Sequence, residues 1–227
     1  LVHACTSDGG GGRSRAGVRR HLVDLGSVRI EERYGLLVTD RVRTALDLAA
    51  FESFEQGVTV FDHVLGPRSD NLAPLSRGEL DAGIGGNYTA AAARRIRTAL
   101  QFADPASGSP GESVSRALMH RLGFRVPLLQ VEIRDARGLV AFTDFDWPDD
   151  QLCGEFDGLV KYRNAEYLQG RTPAEALTAE KRREDRIRAT GRRVIRWTWS
   201  ELANPGSFSA FLAAAGVPRQ PLPACRR

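Results

Sequence analysis

Cysteine, methionine and lysine are scarce in this chain. Of 227 residues, three are cysteine and one is methionine. Cys5, Cys153 and Cys225 are far apart and odd in number. They form neither a disulfide framework nor the close pairs of a zinc site, and they read as free thiols in a reducing cytoplasm. The four histidines, His3, His21, His63 and His120, show no metal-ligand spacing on a single element. Soft-metal chemistry is therefore not expected. No uncharged apolar run nears the ~20 residues of a spanning helix. No basic start with an apolar stretch and small-residue cleavage site marks a signal peptide. The chain opens on Leu1 rather than methionine, which fits an upstream part lying outside it. Only Lys161 and Lys181 are lysines among 32 basic residues, which draws notice to each.

What is present is ordinary for a folded, water-facing protein. Hydrophobic residues make up 42% and charged residues 26%, which excludes a wholly disordered or collagen-like chain. The length allows one large domain or two small ones, at roughly 100–200 residues each. The net charge of +4 sits entirely in the second half. Residues 1–109 carry 13 basic and 13 acidic groups, and residues 180–197 alone carry eight basic against three acidic. A local excess of that kind suits a polyanion, although most charge runs are simply solvated faces.

Residues 7–17 read as a loop rich in Gly, Ser and Arg. Leu36 to Val38 is a strand candidate, and Thr39 or Asp40 caps a helix with Val42, Ala45, Leu46 and Ala49 at helical spacing. A second helix is expected over 52–65, Pro67 to Pro74 forms a linker, and Ser76 with Glu79 has capping-box spacing. An alanine- and arginine-rich helix follows over 88–102. The first half is thus mainly helical. Residues 104–110 mark the clearest boundary, giving units of 1–106 and 107–218 and a tail of 219–227. Ser109, Pro110 and Glu112 open a helix that stops at Gly123. Strands are expected at 126–134, 139–147 and 152–162. A helix capped at Thr172 and ending at Gly191 then leads to a strand at 193–199 and a last helix near 207–215. The expected class is α/β, in the α+β sense of a mixed sheet of about four strands flanked by helices.

The second and third strands carry the chemistry. A hairpin closed by Pro148 to Gln151 sets Trp147 across from Leu152, hence Asp144 across from Glu155. Period-two alternation then puts Asp144, Asp146, Glu155, Asp157 and Lys161 on one face. Ala141, Phe145, Trp147, Leu152 and Phe156 take the other. Opposed carboxylates repel, so a proton, a nearby cation or a metal must compensate. Oxygen donors suit magnesium or manganese. Glu112 has two readings, a further ligand or a helix cap. Lys181, Arg182, Arg183 and Arg188 on the long helix suit a phosphate backbone. The bland reading is a solvated hairpin face, or a cluster bridged by arginines for stability.

In this order, Glu112 on a helix, Asp144-Phe145 on a strand and Glu155-Phe156-Asp157-Gly158 on the next resemble the PD-(D/E)XK nuclease superfamily. The likeness is to its small domains related to very-short-patch-repair (Vsr) endonucleases. Gln130, Glu180, Arg183 and the run from Gly191 to Trp197 match further pieces, over roughly residues 107–202. The resemblance implies a restriction-endonuclease-like core and Mg²⁺- or Mn²⁺-dependent hydrolysis of DNA. Asp144 and Glu155 would hold the ion, with Glu112 a third candidate, and Asp144, Glu155, Asp157 and Lys161 would form the catalytic set. The superfamily lysine position holds Asp157 here, and Lys161 stands where Vsr-like chains often carry histidine. Separately, residues 38–49 are similar to a segment of AbiE-type antitoxin-like proteins. That likeness implies a toxin–antitoxin or defence context with a protein partner, and leaves open an inactive DNA-binding regulator on a nuclease fold.

Overall fold

The computed structural model describes residues 2–7, 17–67, 72–158 and 172–220. Two small sheets open the chain. Strands β1 (Val2–Thr6) and β2 (Val18–Leu22) pair in parallel, and β3 (Ile30–Arg33) and β4 (Leu36–Thr39) form a hairpin. Its turn places Tyr34 at φ 53° and Gly35 at φ 75°, the double positive φ of a two-residue hairpin loop. The first half therefore holds more strand than its helical pattern predicts. These strands are four or five residues long, and β2 (Val-Arg-Arg-His-Leu) and β3 (Ile-Glu-Glu-Arg) are mainly charged or polar, so they write little period-two hydrophobicity into the sequence. Of the expected 7–17 loop, residues 8–16 lie outside the described residues, as do 68–71 of the expected linker.

The helices follow their caps. Asp40 accepts from the Arg43 N–H (2.9 Å) and starts α1 (Arg41–Phe51). Ser53 with Gln56, and Ser76 with Glu79, form capping boxes for α2 (Phe54–Leu65) and α3 (Arg77–Ile84). Thr89 caps α4 (Ala90–Phe102). The apolar stripes of these four helices close one core around Leu46, Val58, Phe61, Leu80, Ile84 and Ile96.

The second half runs α5 (Pro110–Arg121), β5 (Leu128–Asp135), β6 (Gly138–Trp147), β7 (Leu152–Phe156), α6 (Pro173–Ala189) and β8 (Arg193–Trp197). It ends in α7 (Trp199–Leu202) and α8 (Pro205–Ala214). The sheet order is β5-β6-β7-β8, antiparallel through β7, with β8 parallel to β7. Parallel neighbours need a long crossover, and α6 lies within it. The chain is thus a mixed α/β protein with a four-stranded mixed sheet.

Phe145, Trp147, Leu152, Phe156 and Trp197 face Leu118 and Met119 of α5 and Phe208 and Leu212 of α8. On the α6 side, Cys153 and Val194 meet Ile187. Ala141, expected with Phe145 and Trp147, joins this second cluster instead. The register shifts where Ile133 pairs with Ala141 and Arg134 with Leu139, leaving Val140 unmatched, and such a bulge re-aims the side chains around it. The strand expected over 152–162 ends at Phe156; positions from 159 lie outside the described residues. The strand expected to reach Trp199 stops at Trp197, and Trp199 starts α7.

The junction at 104–110 is tied down rather than loose. Asp62 accepts from the Asp104 N–H (2.7 Å) and from Arg116 of α5 (3.0 and 2.9 Å). One face of α5 gives Ala117 to the first core, and its neighbours Leu118 and Met119 belong to the second. The two units share this helix. Among the described residues no helix is long and apolar enough to cross a membrane.

Candidate active site

The β6–β7 register is the expected one, with Phe145 opposite Gly154, Asp146 opposite Cys153 and Trp147 opposite Leu152. The ladder ends there, one step short of Asp144 and Glu155. In place of a further rung, Asp144 Oδ2 accepts from the Phe156 N–H at 2.9 Å. A side-chain carboxylate thus closes the point where the strands part.

Glu155 is 8% exposed and is held by two guanidiniums. Arg183 of α6 donates to both its oxygens (2.8 and 2.9 Å), and Arg196 of β8 lies 2.8 Å from Oε2. The parallel register explains the second contact, because it sets Glu155 beside Arg196. Both arginines are shared further. Arg183 also binds Glu180 (2.6 Å), and Arg196 reaches Glu180, Glu184 (3.2 Å) and Asp157 (3.8 Å). Glu184 in turn holds Arg188 at 2.7 Å. Four carboxylates therefore surround three guanidiniums, and the compensating charge that the opposed acids demand comes from arginine. Burial raises the Glu155 carboxyl above the ordinary glutamate range despite its two partners. Burial also opposes the charge on Glu180, yet Arg183 and Arg196 hold its carboxyl down at about 2.

The other expected members scatter around this cluster. Asp146 is fully buried and ion-paired with Arg192 (3.1 Å). Its strand neighbour Cys153 is pushed up to about 12 by burial and then by Glu155 and Asp146, so its thiol is no nucleophile at neutral pH. The Asp157 N–H donates to the Trp197 carbonyl (2.8 Å). Glu112 stands in the first turn of α5. Its carboxylate accepts from the Gly108 N–H and the Ser109 hydroxyl, both at 2.8 Å, and from Gln130 Nε2 at 3.2 Å. Gln130 stands in β5 at φ 49°, between positions paired with Thr143 and Phe145, hence level with Asp144. Lys161 lies outside the described residues. Of the four basic residues expected to meet phosphate, Arg183 and Arg188 are engaged by acids. Lys181 and Arg182 are exposed and make no ion pair among the described residues.

Sequence reasoning missed Arg196 as a partner of Glu155. It also read the histidines as scattered. Across β1 and β2, His3 Nδ1 and His21 Nε2 lie 3.0 Å apart, and His3 Nε2 lies 3.2 Å from Glu52. His21 stacks on Phe51, with ring centroids 3.8 Å apart. These contacts fasten the ribbon to α1.

Among the described residues no three His, Cys, Asp or Glu side chains converge as a metal site. A magnesium ion needs only one or two carboxylates, its other positions being filled by water or phosphate. The donor chemistry of Asp144 and Glu155 fits that demand, and Arg183 and Arg196 compete for one of the two. Comparison of the chain with family models, with curated proteins and with solved structures gave no match.

Proposed function

We propose that this protein is a magnesium-dependent hydrolase of DNA phosphodiester bonds, built on a PD-(D/E)XK-like core. The observation that carries the reading is the pair Asp144 and Glu155, adjacent in register where β6 and β7 part. The order helix, three antiparallel strands, helix and parallel strand supports it. Asp144 and Glu155 would hold Mg²⁺ or Mn²⁺. Such an ion would supply a lowered pKa to a water and offset charge on the phosphoryl oxygens.

The chain's own residues have distinct tasks in this reading. Asp144 fixes the gap between the strands through the Phe156 N–H. Glu112 anchors Gln130 beside it, and Asp157 lies 3.8 Å from Arg196. Lys161 supplies the basic group that orients the attacking water or meets charge on the phosphate.

A second reading is an inactive nuclease fold that binds DNA or a protein partner, as an antitoxin-like regulator would. The commitment of Glu155 to two guanidiniums favours it. Nicking of supercoiled plasmid with Mg²⁺ or Mn²⁺ separates the two. The hydrolase reading expects nicking that is lost with EDTA and in Asp144→Asn, while circular dichroism reports an unchanged fold. Folded protein that binds plasmid yet cuts neither DNA nor RNA with either ion would leave the regulator.

A further inference from the structure

Between α6 and the β5–β6 turn runs a groove of about 570 Å³. Four arginines line it, Arg182, Arg183 and Arg186 from the helix and Arg137 from the turn, together with Asp185, and of the four Arg183 and Arg186 are hydrogen-bonded to carboxylates. Its two walls are tied together. Arg186 Nε and Nη2 each donate to Asp135 at 2.8 Å, and Arg137 Nη2 lies 3.6 Å from the same carboxylate. These guanidiniums, led by the Arg186 hydrogen bonds, hold the Asp135 carboxyl well below the ordinary aspartate range. The groove is therefore fixed before anything enters it. Arg182 and Arg137 project from opposite walls, both largely exposed. Arg183 lines the groove and also donates to Glu155, which joins the groove to the candidate site.

We infer that this groove is the track for the phosphodiester backbone of duplex DNA. Guanidinium forks match phosphate oxygens in geometry and charge, and Arg183 is the residue at which the track meets Glu155. The inference rests on the hydrolase reading for its substrate, and it narrows the contact surface. Arg137 and Arg182 bind backbone, whereas Lys181 and Arg188 lie outside the groove.

The test is fluorescence anisotropy of a short labelled duplex, titrated over a series of salt concentrations. Each lost phosphate contact makes the plot of log affinity against log salt shallower by about one. Arg137→Ala and Arg182→Ala should each do so, and the double variant should lose about two. Neither residue touches Glu155, so the fold of the site is spared. Lys181→Ala should keep the parent slope. Unchanged slopes in the arginine variants, or an equal drop in Lys181→Ala, would overturn the groove. Asp144→Asn leaves the groove intact and should keep the parent slope. Plasmid nicking with unchanged slopes refutes the groove alone, and shallower slopes without nicking by any ion refute the hydrolase alone.

Discussion

Replacing Arg116 with methionine tests how the two halves are joined. Arg116 is 3% exposed and its partner Asp62 2%. The guanidinium gives two hydrogen bonds to Asp62 (3.0 and 2.9 Å) and one to the Phe102 carbonyl (2.7 Å), and lies 4.4 Å above the Phe102 ring. Methionine keeps much of the volume and removes every one of these bonds. Breaking one side of a buried ion pair costs about 3–5 kcal/mol, because a charge is left without a partner. Burial already raises the Asp62 carboxyl above the ordinary aspartate range, against the pull of Arg116 and of the Asp104 N–H. Without Arg116 it rises further, so the variant is least affected at low pH and loses stability as pH climbs through the Asp62 titration. Adding Asp62→Asn removes the stranded charge and should recover part of the loss, with the pH dependence gone. Urea denaturation between about pH 5 and pH 8 reads all three proteins. A loss under about 1 kcal/mol for Arg116→Met, independent of pH, would show that the junction does not depend on this pair.

Two further predictions follow from side chains near the site and in the ribbon. At Gly111 a Cβ would lie 1.9 Å from Phe156 Cε1. Alanine within a helix normally gains about 0.5–1 kcal/mol over glycine. Here overpacking of about 1–3 kcal/mol outweighs it, so Gly111→Ala should lose about 1–2 kcal/mol in denaturant melts, and Phe156→Leu should relieve the clash. Equal stability of Gly111→Ala and the parent would contradict the close approach of α5. Burial, and then His3 and Arg19, hold the His21 pKa below the ordinary histidine value. The unfolded chain therefore protonates first as pH falls through about 6.5, and stability drops on acidification until the folded imidazole also takes a proton. His120, lowered by burial and by Arg116, adds the same sign. Tm measured from about pH 8 to pH 5 should fall less steeply in His21→Asn, and parallel curves would refute the assignment.

Elements with local signals were legible in the sequence. Asp40, Ser76, Ser109 and Thr172 each cap the helix where the sequence places a cap. The hairpin register followed from a closed turn at Pro148 to Gln151 as far as Phe145 and Gly154, and Asp144 and Glu155 stand one position beyond that last rung. The partners of Glu155 could not be read in the same way. A parallel strand arriving through a long crossover has no turn to fix its register, so nothing near Arg196 in sequence points to Glu155. The β1–β2 ribbon was hidden for a related reason, since its parallel register is also set by no tight turn. Glu112 had two readings that composition could not separate, and its carboxylate takes the Gly108 N–H, the Ser109 hydroxyl and Gln130 Nε2.

The late position of β8 has a consequence for the order of folding. The hairpin that carries Asp144 and Glu155 is complete at residue 156, yet the arginines that neutralise Glu155 come from residues 183 and 196. A nascent chain carries Glu155 without these two partners until the last quarter of the sequence is made. The charge balance around Glu155 is therefore complete only once the crossover and β8 are in place.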